Sequence, residues 1–271
     1  MPRAFFVRTC IGALRERRFC DSTTTMIPVF YQSPAEYRAE SMRVSPVWRV
    51  FAPIAVAIAL VAIAYADPEW YRTYLQDERG FLEFLHALLP LGAAAIAGRL
   101  LLMPALRRDP FIAAWLAAIL IGGIYLGGEE ASWGQHYFGW QTPEQWAEIN
   151  RQEETNLHNT SFWFDRFPRI VITVGAFVGG LVLPSIKLHR PDRIPQRFDF
   201  VVPPLGLRTL TVVMMVGEIL GGLRETTDAI GDVLRFRPGE MQENFIVVFI
   251  FVCMLCLAGR AKRVGASQTS P

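Results

Sequence analysis

Residues 111–127 read FIAAWLAAILIGGIYLG and are followed at once by Gly128, Glu129 and Glu130. A hydrocarbon core about 30 Å thick is crossed by about 20 apolar residues in a helix, so this run approaches the length of a transmembrane span. Two adjacent carboxylates then stand where the run ends, and ionisable groups are costly to place at the edge of a bilayer. The run predicts a membrane helix, and its end predicts a functional site.

Five further apolar runs accompany this one. With 52% hydrophobic and 19% charged residues, the chain of 271 residues is too apolar for an ordinary soluble domain. The six predicted spans are residues 50–66, 81–103, 111–127, 170–188, 209–223 and 245–257. We therefore predict an all-α polytopic membrane helix bundle of about six transmembrane helices. Its predicted partner is the lipid bilayer, and nucleic acid is not predicted.

Charge alternates along the connections between the runs. Arginine and lysine collect in the amino-terminal tail, after spans two and four, and at the carboxyl-terminal end. The acids of the first and last intervening connections are Asp67, Glu69, Asp77, Glu78, Glu225, Asp228, Asp232 and Glu240. Because basic residues accumulate on the cytoplasmic side, this pattern predicts a protein of the bacterial inner membrane with both termini cytoplasmic.

The same pattern predicts the organisation of the chain. Residues 1–46 are predicted to be a disordered cytoplasmic tail, and residues 260–271 a second cytoplasmic tail. Residues 47–259 are predicted to form the six-span domain, which includes an extracytoplasmic lid over residues 129–167.

Acidic residues from several predicted spans fall at one level, the extracytoplasmic face. Glu83 and His86, three residues apart, share a helical face at the start of the second span. A Glu-x-x-His spacing suits a di-iron bundle, but without a second such motif a polar contact in the core is the favoured interpretation. Glu218 lies inside the fifth span and Glu225 beyond it. An unpaired carboxylate in hydrocarbon is expensive, so Glu218 is expected to meet a basic side chain or a cation.

The connection between the third and fourth spans carries its own helix signal. Thr142 is predicted as the N-cap of a helix that has Pro143 at its first position and runs to about Glu153. Tryptophans in this connection suit a membrane interface, which favours a lid over the mouth of the bundle. Glu154 and His158 follow four residues apart and are predicted to face each other.

Two motifs frame this predicted lid. Residues 128–135 carry Gly-Glu-Glu followed by Trp-Gly-Gln, and residues 154–159 read Glu-Thr-Asn-Leu-His-Asn. Together they resemble the signature of a family of uncharacterised bacterial multi-pass membrane proteins. His136 departs from that signature, which favours arginine at this place. The resemblance implies a site at this position in a multi-pass membrane protein and implies no particular reaction.

The candidate site residues fall into three groups. The predicted catalytic residues are Glu129, Glu130, Glu154 and His158. The predicted substrate contacts are Trp133, Gln135, Asn156 and Asn159. The predicted ligands of a divalent metal ion are Glu130, Glu154, His158 and Glu218, with Glu83 and Glu225 in support. The competing interpretations are structural: acids solvated at a helix end, where they oppose the macrodipole, and an exposed Glu154–His158 ion pair that contributes little stability.

Two classes of function remain open at this point. In the first, the protein is an enzyme whose acids and histidine bind a divalent metal ion, or act as general acid and base, on a lipid or lipid-linked substrate. In the second, it is a non-catalytic transporter, ion-coupled protein or membrane assembly partner that uses the same acids to bind a cation or proton. Neither a nucleophile motif nor a phosphate-binding loop in the sequence decides between them.

Overall fold

The computed structural model describes residues 32–76, 80–226, 234 and 236–268, with side chains described as far as residue 263. Within these ranges the chain is a bundle of helices and contains no strand. Six helices are long and apolar enough to cross a membrane, which confirms the predicted fold class. Residues 1–31 of the predicted tail, and the acids Asp77, Glu78, Asp228 and Asp232, lie outside the described residues.

We number the principal helices α1 to α7. Their bounds are Pro34–Met42 (α1), Val47–Ala66 (α2), Phe81–Leu101 (α3), Pro110–Glu130 (α4), Phe162–His189 (α5), Leu205–Arg224 (α6) and Pro238–Gln268 (α7). Short helical turns in the connections are Pro68–Tyr71, Pro104–Arg107, Gln135–Phe138 and Glu144–Ala147. Both α5 and α7 begin well before the predicted spans, because their first turns are helical but carry charged residues that interrupt the apolar run.

The most extensive helix contact joins α3 and α4, and α7 packs against both α3 and α6. A Cβ atom at Gly123 would lie 2.5 Å from the carbonyl oxygen of Pro90, and one at Gly127 would lie 2.6 Å from that of Ala87. Because a side chain does not fit at these distances, the two glycines let the backbones of α3 and α4 touch, as small residues do between membrane helices. The contact fixes the register between the end of α4 and the start of α3.

A buried carboxylate begins α4. Asp109 is buried and accepts hydrogen bonds from the backbone N–H groups of Phe111 (2.9 Å) and Ile112 (3.1 Å). Pro110 occupies the first helical position, where no N–H group is needed. This N-cap sets where α4 starts, and the length of α4 then sets how far its acidic end projects.

The end of the bundle at which α4 begins, which we call the basic end, carries Lys187, Arg208 and Arg260 and is covered by α1. Ser33 and Glu36 form a capping box that starts α1. Fully buried Tyr37 donates a hydrogen bond to a backbone carbonyl oxygen of the connection between α5 and α6. Part of the segment predicted to be a disordered tail is therefore a packed helix.

Buried charges at the basic end are paired. Lys187 Nζ lies 2.6 Å from Asp199 Oδ2, and both side chains are 1% exposed. Buried Arg260, at the predicted start of the second tail, lies within α7, and its Nη2 lies 2.7 Å from Glu40 Oε2. Its Nη1 also donates to the carbonyl oxygen of Phe200 at 3.0 Å. Removing one partner of such a pair leaves a buried charge uncompensated, so these contacts hold α1, α7 and the α5–α6 connection together.

We expect Gly123→Ala to lower the thermal midpoint of the protein in detergent, because overpacking the α3–α4 contact costs about 1–3 kcal/mol. Gly122→Ala is the matched control, since no atom lies within 4 Å of a Cβ placed at Gly122. Equal midpoints for the two variants would contradict the close contact between α3 and α4.

Candidate functional site

At the other end of the bundle α4 and α6 end, and α3, α5 and α7 begin. We call it the acidic end, and it holds a cavity of about 580 Å³. Charged side chains from five helices, from the connection between α4 and α5 and from the connection between α6 and α7 line this cavity. They are Glu83, Glu130, Arg151, Glu154, Asp165, Arg169, Arg224, Glu225, Arg237, Glu240 and Glu243. Charges of both signs therefore face one space.

Three side chains suited to metal binding meet beside this cavity. Glu83, His86 and Glu130, which we call the His86 cluster, each offer a ligand atom, and these atoms lie within 4.8 Å of one another. His86 Nδ1 lies 3.7 Å from Glu83 Oε2 and 3.9 Å from Glu130 Oε2. His86 is 3% exposed, and its Nε2 has no hydrogen-bond partner among the described residues.

The glycine contact between α3 and α4 explains this cluster. Glu130 lies three residues beyond Gly127, and His86 lies one residue before Ala87, which Gly127 touches. Glu83 is one turn earlier on the same face of α3. The Glu-x-x-His spacing was visible in the sequence, but the third member, Glu130, joins it only through helix packing.

An ion-pair network from α5 and α7 borders the cluster. Arg169 Nη1 lies 2.7 Å from Glu243 Oε1, and Arg169 Nη2 lies 3.6 Å from Asp165 Oδ1. Arg151 reaches the same aspartate at 3.4 Å. Asp165 and Arg169 were not predicted as site residues, because they precede the apolar run of α5. Their four-residue spacing was the available signal.

Residues 131–161 connect α4 to α5 and are called here the lid loop. The chain leaves α4 through three consecutive residues with positive φ: Ser132 (43°), Trp133 (54°) and Gly134 (108°). Residues other than glycine adopt this conformation at a cost, so it persists where surrounding contacts fix it. Here the contacts are hydrogen bonds to two buried carboxylates, Glu129 and Glu154.

Glu129 ties the lid loop to the end of α4. Its Oε1 accepts a hydrogen bond from the indole N–H of Trp133 at 2.7 Å. Its Oε2 accepts from the backbone N–H groups of Leu157 (2.6 Å) and His158 (2.8 Å). The adjacent Glu130 instead reaches α3, because successive residues of a helix point about 100° apart. The two neighbouring acids thus serve different parts of the structure.

Glu154 organises the interior of the lid loop. Its Oε1 lies 2.8 Å from His136 Nε2, and its Oε2 accepts hydrogen bonds from the Ser132 hydroxyl (3.0 Å) and the amides of Asn156 (2.5 Å) and Asn159 (3.2 Å). Burial acts to raise the pKa of Glu154, but the hydrogen bonds of His136 and Ser132 outweigh it. The pKa of Glu154 therefore lies below its usual value.

The helix predicted to run from Thr142 to about Glu153 is limited to Glu144–Ala147, so that prediction was wrong. Thr142 does not cap it and instead accepts a hydrogen bond from Gln135 Nε2 at 2.7 Å. The side-chain oxygen of Asn150 accepts from two backbone N–H groups just beyond it, at 2.9 and 3.2 Å. Such local bonds offer the backbone an alternative to the helix, and here they end it.

Glu154 and His158 do not pair with each other. Glu154 contacts His136, whereas His158 Nδ1 lies 3.7 Å from Glu129 Oε2. Burial acts to lower the pKa of His158, but Glu129 and Glu130 act more strongly, so its pKa is raised. His136 had no predicted role. In the folded lid loop it is the histidine that contacts Glu154, the partner that was predicted for His158.

The structure brings together some of the predicted site residues and not others. Those that line the cavity are Glu83, Glu130, Glu154, His158, Asn159 and Glu225. Those that make hydrogen bonds within the lid loop or to its anchor are Trp133, Gln135, Asn156 and Glu129. Glu218 is exposed on α6 and has no ion pair among the described residues. The neighbouring Gly217 faces Gln242 of α7, so position 218 points about 100° away from that contact.

No family model, curated protein or solved structure matches the chain. The resemblance to the multi-pass family therefore stays a prediction from residues 128–159.

We expect Glu129→Gln to loosen the lid loop, because an amide NH₂ cannot accept the N–H donors that the carboxylate now satisfies. One unsatisfied buried donor costs about 1–3 kcal/mol, and limited proteolysis between residues 131 and 161 should become faster. Glu148→Gln makes the same change at an exposed position of the loop and is the control. Equal cleavage of both variants would argue against an anchoring role for Glu129.

Acidification should weaken the lid loop through Glu154. Because its folded-state pKa is lowered, Glu154 stabilises the fold above its usual pKa of 4.5, and this contribution is lost as the pH falls through the lowered value. At neutral pH the thermal midpoint of Glu154→Gln should be lower than that of the unaltered protein. Between about pH 7 and pH 3 the midpoint of the variant should fall less steeply than that of the unaltered protein, because the variant has no Glu154 carboxylate to protonate. A variant profile parallel to that of the unaltered protein would refute this assignment.

Proposed function

We propose that the protein is a multi-pass enzyme of the bacterial inner membrane that binds a divalent metal ion at the His86 cluster and acts on a lipid or lipid-linked substrate. The observation that carries the proposal is the meeting of Glu83, His86 and Glu130 within 4.8 Å beside a polar cavity of about 580 Å³. Isolated carboxylates and a buried imidazole are costly to hold together, and a cation would offset that cost.

The donor atoms fit a metal of intermediate softness. One imidazole nitrogen and two carboxylates suit Zn²⁺ or Mn²⁺ better than Ca²⁺, which prefers oxygen ligands alone. Two donor atoms that each lie about 2.2 Å from one tetrahedral zinc ion lie about 3.6 Å from each other. His86 Nδ1 lies 3.7 Å from Glu83 Oε2 and 3.9 Å from Glu130 Oε2, which is close to that value, so small side-chain rotations would complete the site.

Three protein ligands favour a catalytic ion over a structural one. Structural zinc sites are closed by four protein ligands, whereas catalytic sites keep a position open for water or substrate. Glu83 and Glu130 line a cavity with room for both. A bound ion would polarise a substrate oxygen and acidify water there. Glu243 and Glu240 line the same cavity and supply further carboxylates for proton transfer.

The surroundings favour a substrate with both polar and apolar parts. A recess of about 80 Å³ adjoins the cluster and shares Glu130, Glu243 and Arg169 with the larger cavity. Its other walls are largely apolar, including Phe164 and Ile246. A lipid presents a polar group joined to hydrocarbon, which matches this combination. Our proposed orientation places the acidic end on the periplasmic side and both termini in the cytoplasm, because basic connections accumulate at the other end.

One observation favours a non-catalytic alternative. Thr173 lies one turn deeper in α5 than Arg169 and accepts a hydrogen bond from Gln242 of α7 at 2.9 Å, so polar groups continue into the bundle. Polar residues inside membrane helices often mark ion or proton routes. A transporter or ion-coupled protein would use the His86 cluster as the entry site of such a route.

Metal content tests the proposed site. Protein purified in detergent and dialysed against Zn²⁺ or Mn²⁺ should retain about one ion per chain, as expected for a three-ligand site. Glu130→Gln and His86→Asn should each abolish that retention while the protein stays folded. Glu218→Gln makes the same change at an exposed carboxylate outside the cavity and should retain the ion. Retention by all four proteins would place the metal elsewhere.

The same preparations separate the two classes of function. The metal-loaded protein incubated with a bacterial lipid extract should convert a lipid into a product visible by mass spectrometry, and Glu130→Gln should not. Bound metal without any lipid conversion, together with Glu130-dependent cation flux into liposomes, would favour the transport alternative.

A further inference from the structure

Helix α2 lies at the edge of the bundle and borders two apolar grooves. Within Ala52–Ala66 the only buried residue is Ala64. One groove, of about 390 Å³, is lined by apolar side chains of α2, α6 and the chain around the start of α7, with no charged residue among the described ones. The other, of about 400 Å³, lies between α2, α6 and α7 toward the basic end. We call the first the uncharged groove and the second the arginine groove.

The arginine groove has the depth of one membrane leaflet. Along α7 it extends from Cys256, near the basic end, to Phe245. These residues are eleven apart, which corresponds to about 16 Å of helix. That is roughly half of a 30 Å hydrocarbon core. Val56 and Leu210 form the facing walls, so the groove is a trough of the length that one acyl chain occupies.

Charge is concentrated at the basic end of this groove. Arg49 lines it, and its buried Nε has no hydrogen-bond partner among the described residues. Glu40 lines it as well, but Arg260 and Arg263 already contact that carboxylate at 2.7 and 2.5 Å. Those two guanidinium groups neutralise Glu40, so Arg49 supplies the remaining charge at this end of the groove. The excess is positive and matches an anionic group at the membrane surface.

Trp48, the residue before Arg49, also indicates the depth of the headgroups. Trp48 lines the groove and is 71% exposed beside Arg49. Tryptophan side chains are enriched at the boundary between hydrocarbon and headgroups. Arg49 thus stands at headgroup level while the groove below it lies at the level of acyl chains.

We propose that the arginine groove is a binding site for an anionic phospholipid, with the headgroup phosphate on Arg49 and one acyl chain along α7. The site is independent of the acidic end, since it lies at the other end of the bundle and shares none of its residues. The uncharged groove offers a similar volume without a cation and selects no headgroup.

Native mass spectrometry of the full chain in detergent tests this site with two probes, phosphatidylglycerol and phosphatidylcholine. The unaltered protein should bind phosphatidylglycerol more tightly. Arg49→Gln should weaken phosphatidylglycerol binding about fivefold, the effect of one basic side chain near a membrane surface, and leave phosphatidylcholine binding unchanged. Equal affinities of the unaltered protein for the two lipids, or no change in Arg49→Gln, would overturn the proposal.

A matched pair of filling variants keeps the test independent of Arg49. Ala52→Phe places a ring in the arginine groove, and Ala57→Phe places one in the uncharged groove on the same helix. The first should reduce phosphatidylglycerol binding and the second should not. Equal losses would contradict the site. Displacement of the lipid by glycerol phosphate at similar concentration would also overturn it, because the acyl chain would then contribute nothing.

Discussion

The contact of α3 with α4 at Gly123 and Gly127 is the constraint on which the acidic end depends. Backbone atoms approach there to distances that exclude any Cβ atom, so the two helices have one register. In that register Glu130 reaches His86 and Glu83, and the lid loop leaves α4 beside them. A larger residue at Gly127 would move α3 and α4 apart. Glu130 would then no longer reach His86 and Glu83, although none of these three residues had been changed.

The two acids that end α4 point in different directions and make different contacts. The Glu129 carboxylate accepts hydrogen bonds from N–H groups of the lid loop, so it holds the loop in place. Glu130 faces the cavity and leaves its oxygens available for a ligand. The lid loop in turn rests on a second carboxylate, Glu154, and the loop's backbone strain is offset by these buried hydrogen bonds. Removal of water from both carboxylates is tolerable because each has several donors.

The two ends of the bundle differ in the charges they carry. At the basic end, Lys187 and Arg260 are buried and fully engaged by Asp199, Glu40 and backbone carbonyls. At the acidic end, the carboxylates outnumber the basic groups that line the cavity, so an added cation would be favoured there. A bundle with these two ends has different chemistry at its two faces, which is the basis of both sites proposed above.

Hydropathy alone determined that this chain forms about six membrane-length helices, because apolar length is a local property that no packing arrangement alters. It also marked Glu130 and Glu83 at the same level, since their positions along the spans follow from the sequence. Only the tertiary structure decided that His86 is the centre of the cluster, that His136 pairs with Glu154, and that Glu218 faces away. Those outcomes depend on helix register, helix rotation and hydrogen bonds between distant residues, and spacing within a single segment carries none of that information.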